Sequence, residues 1–144
     1  MAMSEIKIYT AGAMKGLTFD EYYGWRKRLQ WYLSNGDTTY KFFHPPEFYN
    51  YEQNLHKSER EVKEFELNQL RQCDVMVVNL ANIESSIGTH MELGYVNAVN
   101  SFGGKHIYVI GFGENEVHPW IEDSLFRREK NVADTAEYIK GYFI

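Results

Sequence analysis

The stretch that decides the fold runs from Cys73 to Val99 and reads CDVMVVNLANIESSIGTHMELGYVNAV. Residues 75–80 are an apolar run without alternation, which is typical of a strand buried on both faces of a parallel sheet. A polar loop, residues 81–86, follows it, and residues 87–96 have the pattern of the first turns of a helix. Ligands of open α/β sheets bind at the carboxyl ends of the strands. We therefore expect the functional site beside this loop.

Length and composition indicate one globular domain that spans residues 1–144. The formal net charge of −5 disfavours a nucleic-acid polymer as the partner. The sequence shows neither a signal peptide nor an apolar run of membrane-spanning length, so we expect a cytoplasmic protein that does not bind membranes.

Cysteine and histidine usage predicts no metal site and no disulfide. Cys73 is the single cysteine, and the five histidines have no metal-ligand spacing. We expect Cys73 to be a buried core thiol, and we expect no cofactor.

Segments with strand and helix patterns alternate along the chain. Strands are predicted at 6–11, 40–43, 75–80 and 105–110, with a short edge strand at 131–132. Helices are predicted at 18–34, 58–72, 87–102, 119–128 and 133–142. Right-handed crossovers place such helices on both faces of a parallel sheet. The alternation predicts a flavodoxin-like (Rossmann-like) three-layer α/β sandwich with a parallel sheet of four to five strands.

The loops that follow the strands are expected to gather at one edge of this sheet and to form the site. They are residues 12–16, 44–57, 81–88 and 111–117. The second loop is long and polar-aromatic, and loops of that length in a compact domain are usually functional.

Glu92 is the candidate reacting group. It lies between Gly88 and Gly94, which allow a backbone or a ligand to approach closely. A carboxylate near a helix N-terminus is expected to stay ionised, which suits a nucleophile. The spacing equally fits an exposed carboxylate that only stabilises the helix end. His90 does not share a helix face with Glu92 and is treated as a bystander.

Two further features lie at the end of the first strand. The loop from Gly12 to Gly16, which contains Lys15, resembles a small phosphate-binding loop but is neither a Walker A nor a dinucleotide motif. A plain strand-to-helix turn is the simpler explanation for it. Tyr9 belongs either to the core or to the site, where it would donate a hydrogen bond to the nucleophile.

Three segments together resemble the nucleoside 2-deoxyribosyltransferase superfamily, which includes the 2'-deoxynucleoside 5'-monophosphate N-glycosidases and the cytidylate N-glycosidases. They are residues 8–12 (IYTAG), 73–80 (CDVMVVNL) and 88–95 (GTHMELGY), in that order and with similar spacing. The resemblance implies that Glu92 attacks the anomeric carbon and displaces the base, and that Tyr9 orients Glu92. A second nucleobase or water would then take the sugar from the glycosyl-enzyme.

The resemblance also implies roles for residues around the nucleophile. Glu66 falls where the monophosphate hydrolases carry an Asp near the sugar or base, so it is the candidate acid. An exposed helix glutamate is the simpler explanation of its pattern. The candidate substrate-binding residues are Gly12, Lys15, Gly16, Ser86, Gly88 and Thr89.

The residue six positions before the nucleophile bears on substrate choice. Transferases of free nucleosides usually carry Asp there, whereas the monophosphate hydrolases carry Ser, as this chain does at Ser86. Lys15 also matches a basic residue of the hydrolases. Glu84 nearby and Ala13, in place of a Ser, oppose a phosphate. Transferase and nucleotide hydrolase therefore both stay open.

The aromatic surplus and the resemblance favour a homo-oligomer, a dimer or larger. The apolar residues expected at its interface are Trp120, Phe126, Tyr142, Phe143 and Ile144. A small-molecule nucleoside or nucleotide is the expected ligand. A non-catalytic nucleotide sensor and a ligand-free interaction domain are the alternatives on the same fold.

Overall fold

Five parallel strands form one sheet in the order β2-β1-β3-β4-β5 in the computed structural model, which describes residues 5–48 and 57–143. The strands are β1 (Glu5–Gly12), β2 (Thr39–Phe43), β3 (Val75–Asn79), β4 (Tyr108–Phe112) and β5 (Arg127–Glu129). The apolar run at residues 75–80 therefore contains the central strand, β3. Chain order reverses beside β1, which gives the doubly wound arrangement predicted from the sequence.

Helices connect the strands on both faces of the sheet. They are α1 (Trp25–Leu33), α2 (Glu59–Arg71), α3 (Ile87–Phe102), α4 (Pro119–Asp123) and α5 (Val132–Tyr142). A π-helical turn (Asp20–Gly24) leads into α1, and short 3₁₀ turns lie at Pro45–Glu47 and Ile83–Ser85. Ser58 and Glu61 have the spacing of a capping box at the start of α2. The structure confirms this cap, because Ser58 Oγ accepts a hydrogen bond from the Glu61 amide at 3.2 Å.

Two apolar cores lie on opposite faces of the sheet, and alternation along β3 feeds both of them. Met76 points into the core shared with α2 and α3, where it meets Leu93. Val77 points into the core shared with α1 and α5, where it meets Leu29 and Ile139. A strand that packs on both faces has no polar side, which is why its sequence reads as one continuous apolar run.

The sequence prediction is wrong near the C-terminus. The predicted helix 119–128 ends at Asp123, and Arg127–Glu129 forms the edge strand β5 instead of 131–132. Asn131 caps α5, since its Oδ1 accepts a hydrogen bond from the Asp134 amide at 2.8 Å. An edge strand is only half covered and needs no apolar run, so its polar sequence resembled helix.

The start of β4 also differs from the prediction. The strand begins at Tyr108, not at Lys105. Lys105 instead pairs with Asp74 at 3.6 Å, and the Ile107 amide donates to Asn100 Oδ1 at 2.7 Å. Most of the predicted loop 44–57 lies outside the described residues. Within residues 5–48 and 57–143, no helix has the length and apolar character needed to cross a membrane.

Candidate active site

A cavity of about 340 Å³ opens at the carboxyl edge of the sheet. Its lining comes from the end of β1 and the loop after it, from the turn after β2, from α1 and α2, and from the start of α3 with the loop that leads into it. These residues are Ala11, Gly12, Ala13, Met14, Lys15, Arg26, Pro45, Glu66, Ser85, Ser86, Ile87, Gly88, Thr89 and Glu92. Three of the four predicted loops contribute. The fourth, residues 111–117, does not line the cavity. In that loop, Asn115 Nδ2 donates to the Leu80 carbonyl at 3.0 Å.

Two glycines shape the loop after β1 for different reasons. A Cβ on Gly12 would lie 3.2 Å from the Asn79 Cβ, a tight contact that a side chain could make only if Asn79 moved by a few tenths of an ångström. Gly16 has a φ of +80°, which favours glycine, and it does not line the cavity. Gly12 therefore borders the cavity, whereas Gly16 shapes the turn that follows.

Helix α3 directs Glu92 to the wall of the cavity. Its Oε2 is buried and has no hydrogen-bond partner among the described residues. Burial raises the pKa of Glu92 to about 8, while the Tyr9 hydroxyl and the Arg26 charge act to lower it. The expectation that the helix N-terminus keeps Glu92 ionised is thus wrong for the unliganded protein. Glu92 lies in the second turn, where the terminus is weak and desolvation is strong.

Tyr9 is a core residue that does not line the cavity itself but adjoins the Glu92 carboxyl group. Its ring is fully buried and stacks on Phe43 at a centroid distance of 5.3 Å. Its hydroxyl lies beside the Glu92 carboxyl but forms no hydrogen bond of normal geometry with the described residues. Burial raises the pKa of Tyr9, so the group stays protonated and available as a donor. Such bonds are often long before substrate binds.

Glu66 projects from α2 into the same cavity as Glu92, so it is not an exposed helix glutamate. Burial raises the pKa of Glu66 to about 7, with Arg26 opposing the rise. A carboxyl group with a pKa near neutrality is able to donate a proton at physiological pH and to take one back.

Arg26 is a cavity residue that the sequence analysis missed. It is 1% exposed, and its Nε donates to Thr10 Oγ1 at 3.2 Å. Its spacing from Tyr22 and Leu29 places it in the apolar stripe of α1. A charged residue inside an apolar stripe was the available signal.

The loop before α3 presents polar groups to the cavity. Ser86 Oγ and the buried Thr89 Oγ1 lie 2.7 Å apart and share a hydrogen bond. Gly88 is exposed and leaves the first turn of α3 uncovered. Lys15 stands at the rim, exposed and without an ion pair among the described residues. The first amides of a helix lack intrahelical acceptors, and an anion is a natural partner for them.

A second concave region, of about 650 Å³, lies between α3 and α4. We call it the α3–α4 groove. Its lining residues are Glu84, His90, Leu93, Gly94, Asn97, His118, Trp120, Ile121, Asp123 and Ser124. His90 thus faces the groove and not the cavity that holds Glu92. No cluster of His, Cys, Asp and Glu suited to a metal ion occurs within the described part of the chain.

These features define a doubly wound α/β domain with two carboxyl groups in a cavity at the carboxyl edge of its sheet. Residues 8–124 match the family described as nucleoside 2-deoxyribosyltransferase. The chain belongs to this family. Comparison with curated protein sequences finds no match.

Two solved structures share the fold. The 2-deoxyribosyltransferase of Bacillus psychrosaccharolyticus superposes with a TM-score of 0.69 at 19% identity, over 92% of this chain and 91% of that one. The CMP N-glycosidase of Clostridium botulinum superposes with a TM-score of 0.60 at 12% identity, over 94% and 98% of the two chains.

Proposed function

We propose that this protein is an enzyme that breaks the N-glycosidic bond of a (deoxy)nucleoside or of its 5'-monophosphate through a covalent glycosyl-Glu92 intermediate. Family membership supports chemistry at this bond. The observation that carries the assignment of residues is the buried Glu92 Oε2, which has no hydrogen-bond partner among the described residues, in a cavity that Glu66 also lines. A buried polar atom without a partner costs free energy unless a ligand satisfies it.

The pKa values of about 8 for Glu92 and about 7 for Glu66 favour the proton on Glu92, so the reactive form is the one in which that proton has moved to Glu66. In the first step, a Glu92 carboxylate oxygen of this form attacks the anomeric carbon on the face opposite the base. The C–N bond breaks, its electron pair leaves with the base, and Glu66 donates the proton that neutralises the base. The transition state has oxocarbenium character, which a carboxylate stabilises before it forms the ester. The Tyr9 hydroxyl donates a hydrogen bond to the Glu92 oxygen that is not attacking.

In the second step, water or a second nucleobase attacks the anomeric carbon. Glu66, now a carboxylate, takes the proton of the attacking group. The ester bond breaks, and its electron pair returns to Glu92, which restores the enzyme. The two displacements retain the configuration at the anomeric carbon.

The loop chemistry favours the 5'-monophosphate over the free nucleoside. Ser86, Lys15 and the start of α3 surround one side of the cavity, and each suits an anion. An Asp at position 86 would repel phosphate. Glu84 lines the α3–α4 groove instead of this cavity, so its charge is not a direct obstacle to phosphate.

A base-release assay tests the proposal. The protein is incubated with each deoxynucleoside and each deoxynucleoside 5'-monophosphate, and free base is followed by chromatography, with and without an acceptor base. Release without an acceptor identifies a hydrolase, and release that needs an acceptor identifies a transferase. Absence of release from every substrate contradicts the proposal.

A nucleotide sensor is the second candidate. The raised pKa of Glu92 favours it, because a protonated carboxyl group binds sugar hydroxyls without attacking them. Binding without base release in the same assay is the outcome expected of a sensor.

A further inference from the structure

Arg26 is a buried cation whose contacts among the described residues are all neutral. Its three nitrogens donate to Thr10 Oγ1 at 3.2 Å, to the Gly12 carbonyl at 3.5 Å and to the Tyr22 carbonyl. It forms no ion pair with a described residue. A buried charge needs an opposite charge nearby, because desolvation is otherwise uncompensated. The compensating negative charge must therefore come from the cavity beside Arg26.

A neutral chain of side chains fixes the guanidinium from behind. Thr10 Oγ1, which accepts from Arg26, lies 2.7 Å from His44 Nδ1. His44 Nε2 lies 2.9 Å from Gln30 Oε1. Burial lowers the pKa of His44 to about 4, so the ring is neutral at pH 7, donates to Gln30 and accepts from Thr10. These neutral groups hold the Arg26 side chain in place and leave its positive charge unneutralised.

Titratable groups from several elements face Arg26. Those that act on Arg26 directly are Tyr9 on β1, Tyr22 in the π-helical turn, Glu66 on α2 and Glu92 on α3. Lys15 stands at the cavity rim. Glu59 acts on Glu66, and Glu47 and Lys27 act on His44. Two carboxyl groups in one cavity repel when both are ionised, so one of them tends to keep its proton. One fixed guanidinium balances one negative charge.

We propose that Arg26 is the positioning charge that keeps the Glu66–Glu92 pair singly protonated, as one carboxylate and one carboxylic acid. This inference rests on the proposed function, since a nucleophile and an acid are what such a pair supplies. Without Arg26, burial acts on Glu66 unopposed and on Glu92 against the Tyr9 hydroxyl alone, so the pair holds two protons at neutral pH. Neither carboxyl group is then able to attack.

Carboxyl titration by ¹³C NMR tests the inference without any substrate. The protein is labelled at its glutamate side chains, and Glu66→Gln and Glu92→Gln provide the assignments. In Arg26→Met the apparent pKa values of the pair are expected to rise by about one unit or more. In Arg26→Lys, which keeps the charge, they should stay within about half a unit of the wild-type values. Arg28→Met removes a charge from an exposed residue of the same helix, outside the chain that holds Arg26, and should change nothing.

The pH profile of kcat/KM supplies a second readout. Loss of the positive charge raises the pKa of the attacking carboxylate, so the acid limb of the Arg26→Met profile should move to higher pH. Activity at pH 7 is expected to fall roughly tenfold or more and to recover in part at pH 9. A purely structural role would lower the rate by the same factor at every pH.

The outcomes separate the two proposals. A wild-type protein that releases no base contradicts the proposed function, while the carboxyl titration still judges Arg26. Unchanged titration of the pair in folded Arg26→Met overturns the inference.

If that variant does not fold, Thr10→Val replaces it, because it removes the acceptor that holds Arg26 Nε. A smaller upward shift in Thr10→Val, absent from Thr10→Ser, supports the inference, and no shift overturns it.

Discussion

The cavity that holds Glu92 and the α3–α4 groove lie on opposite sides of one helix, and the groove is the larger, at about 650 Å³ against 340 Å³. In the groove, two pairs of polar groups satisfy one another. Asn97 Nδ2 donates to Ser124 Oγ at 3.0 Å, and His118 Nδ1 accepts from the Trp120 amide at 3.1 Å. In the cavity, Glu92 Oε2 has no partner among the described residues.

This difference indicates that buried polar atoms without hydrogen-bond partners identify a reaction site better than the volume of a cavity does. A group whose hydrogen bonds are already made contributes little to a ligand, because binding must first break them. A buried group with none gains a full interaction when substrate arrives. The predictions below test whether function follows the cavity and not the groove.

Removal of the candidate nucleophile should have the largest effect. Glu92→Gln keeps the shape of the side chain but is unable to form the ester, so base release should fall by at least ~10³-fold. His90→Gln changes the groove side of the same helix and should stay within about twofold of wild type. Near-normal turnover by Glu92→Gln, measured by chromatography of free base, would reject the assignment.

Removal of the Tyr9 hydroxyl should have the next largest effect. Tyr9→Phe keeps the stacking on Phe43 but removes the donor beside Glu92. Because one hydrogen bond to a charged group is lost, kcat should fall by about ten- to a hundredfold. Tyr40→Phe, on the neighbouring strand and outside the cavity, is the matched control. Unchanged kinetics in Tyr9→Phe would assign Tyr9 to the core alone.

Substrate preference should respond to the rim of the cavity. If Lys15 and Ser86 hold a phosphate, kcat/KM for the 5'-monophosphate should exceed that for the free nucleoside by about ten- to a hundredfold. Lys15→Ala should erase most of this preference, and Ser86→Asp should invert it through repulsion. A wild-type ratio below one means that the free nucleoside is the substrate.

The change of folding stability with pH should show how much the burial of the Glu92 carboxyl group costs. The folded-state pKa of Glu92, about 8, lies above its ordinary value of 4.5. The protonated form therefore stabilises the fold fully below about pH 4.5, and this contribution is lost as the pH rises towards 8. Glu92→Gln escapes that loss, so its free energy of unfolding should exceed that of wild type by roughly 1–3 kcal/mol at pH 8.

Thermal or urea unfolding at pH 5 and at pH 8 measures this difference. The advantage of Glu92→Gln should be small at pH 5 and larger at pH 8. A difference that does not change between the two pH values would show that Glu92 is not desolvated in solution.

The smallest expected effect is on the formation of oligomers, which we expect to involve the side of the molecule that carries the α3–α4 groove. Trp120 is 82% exposed and Phe126 is 46% exposed, which suits an interface, so we expect a dimer or larger by sedimentation. Trp120→Ser should weaken association and, because the interface is expected to complete the site, lower base release as well. An active monomer at assay concentration contradicts this expectation. Phe143 was expected at the interface but belongs to the core, at 5% exposure, and Ile144 lies outside the described residues.

Much of the fold was readable from the sequence because its signals are local. The apolar run of β3, the Ser58 cap of α2 and the α3 pattern each depend on neighbours along the chain. The prediction failed at β5, whose pairing with β4 through the Gly111–Arg128 register is set by a distant strand. No periodicity within residues 127–129 encodes that partner.

The sequence by itself determined the alternation of strands and helices and the edge of the sheet where the cavity lies. Only the tertiary structure decided that Glu66, Glu92 and Arg26 share one cavity, since they come from three different helices. Tertiary structure also decided their protonation. Helix position alone predicted an ionised Glu92, whereas burial raises its pKa to about 8. Desolvation is a property of the packed neighbourhood, and a sequence pattern does not contain it.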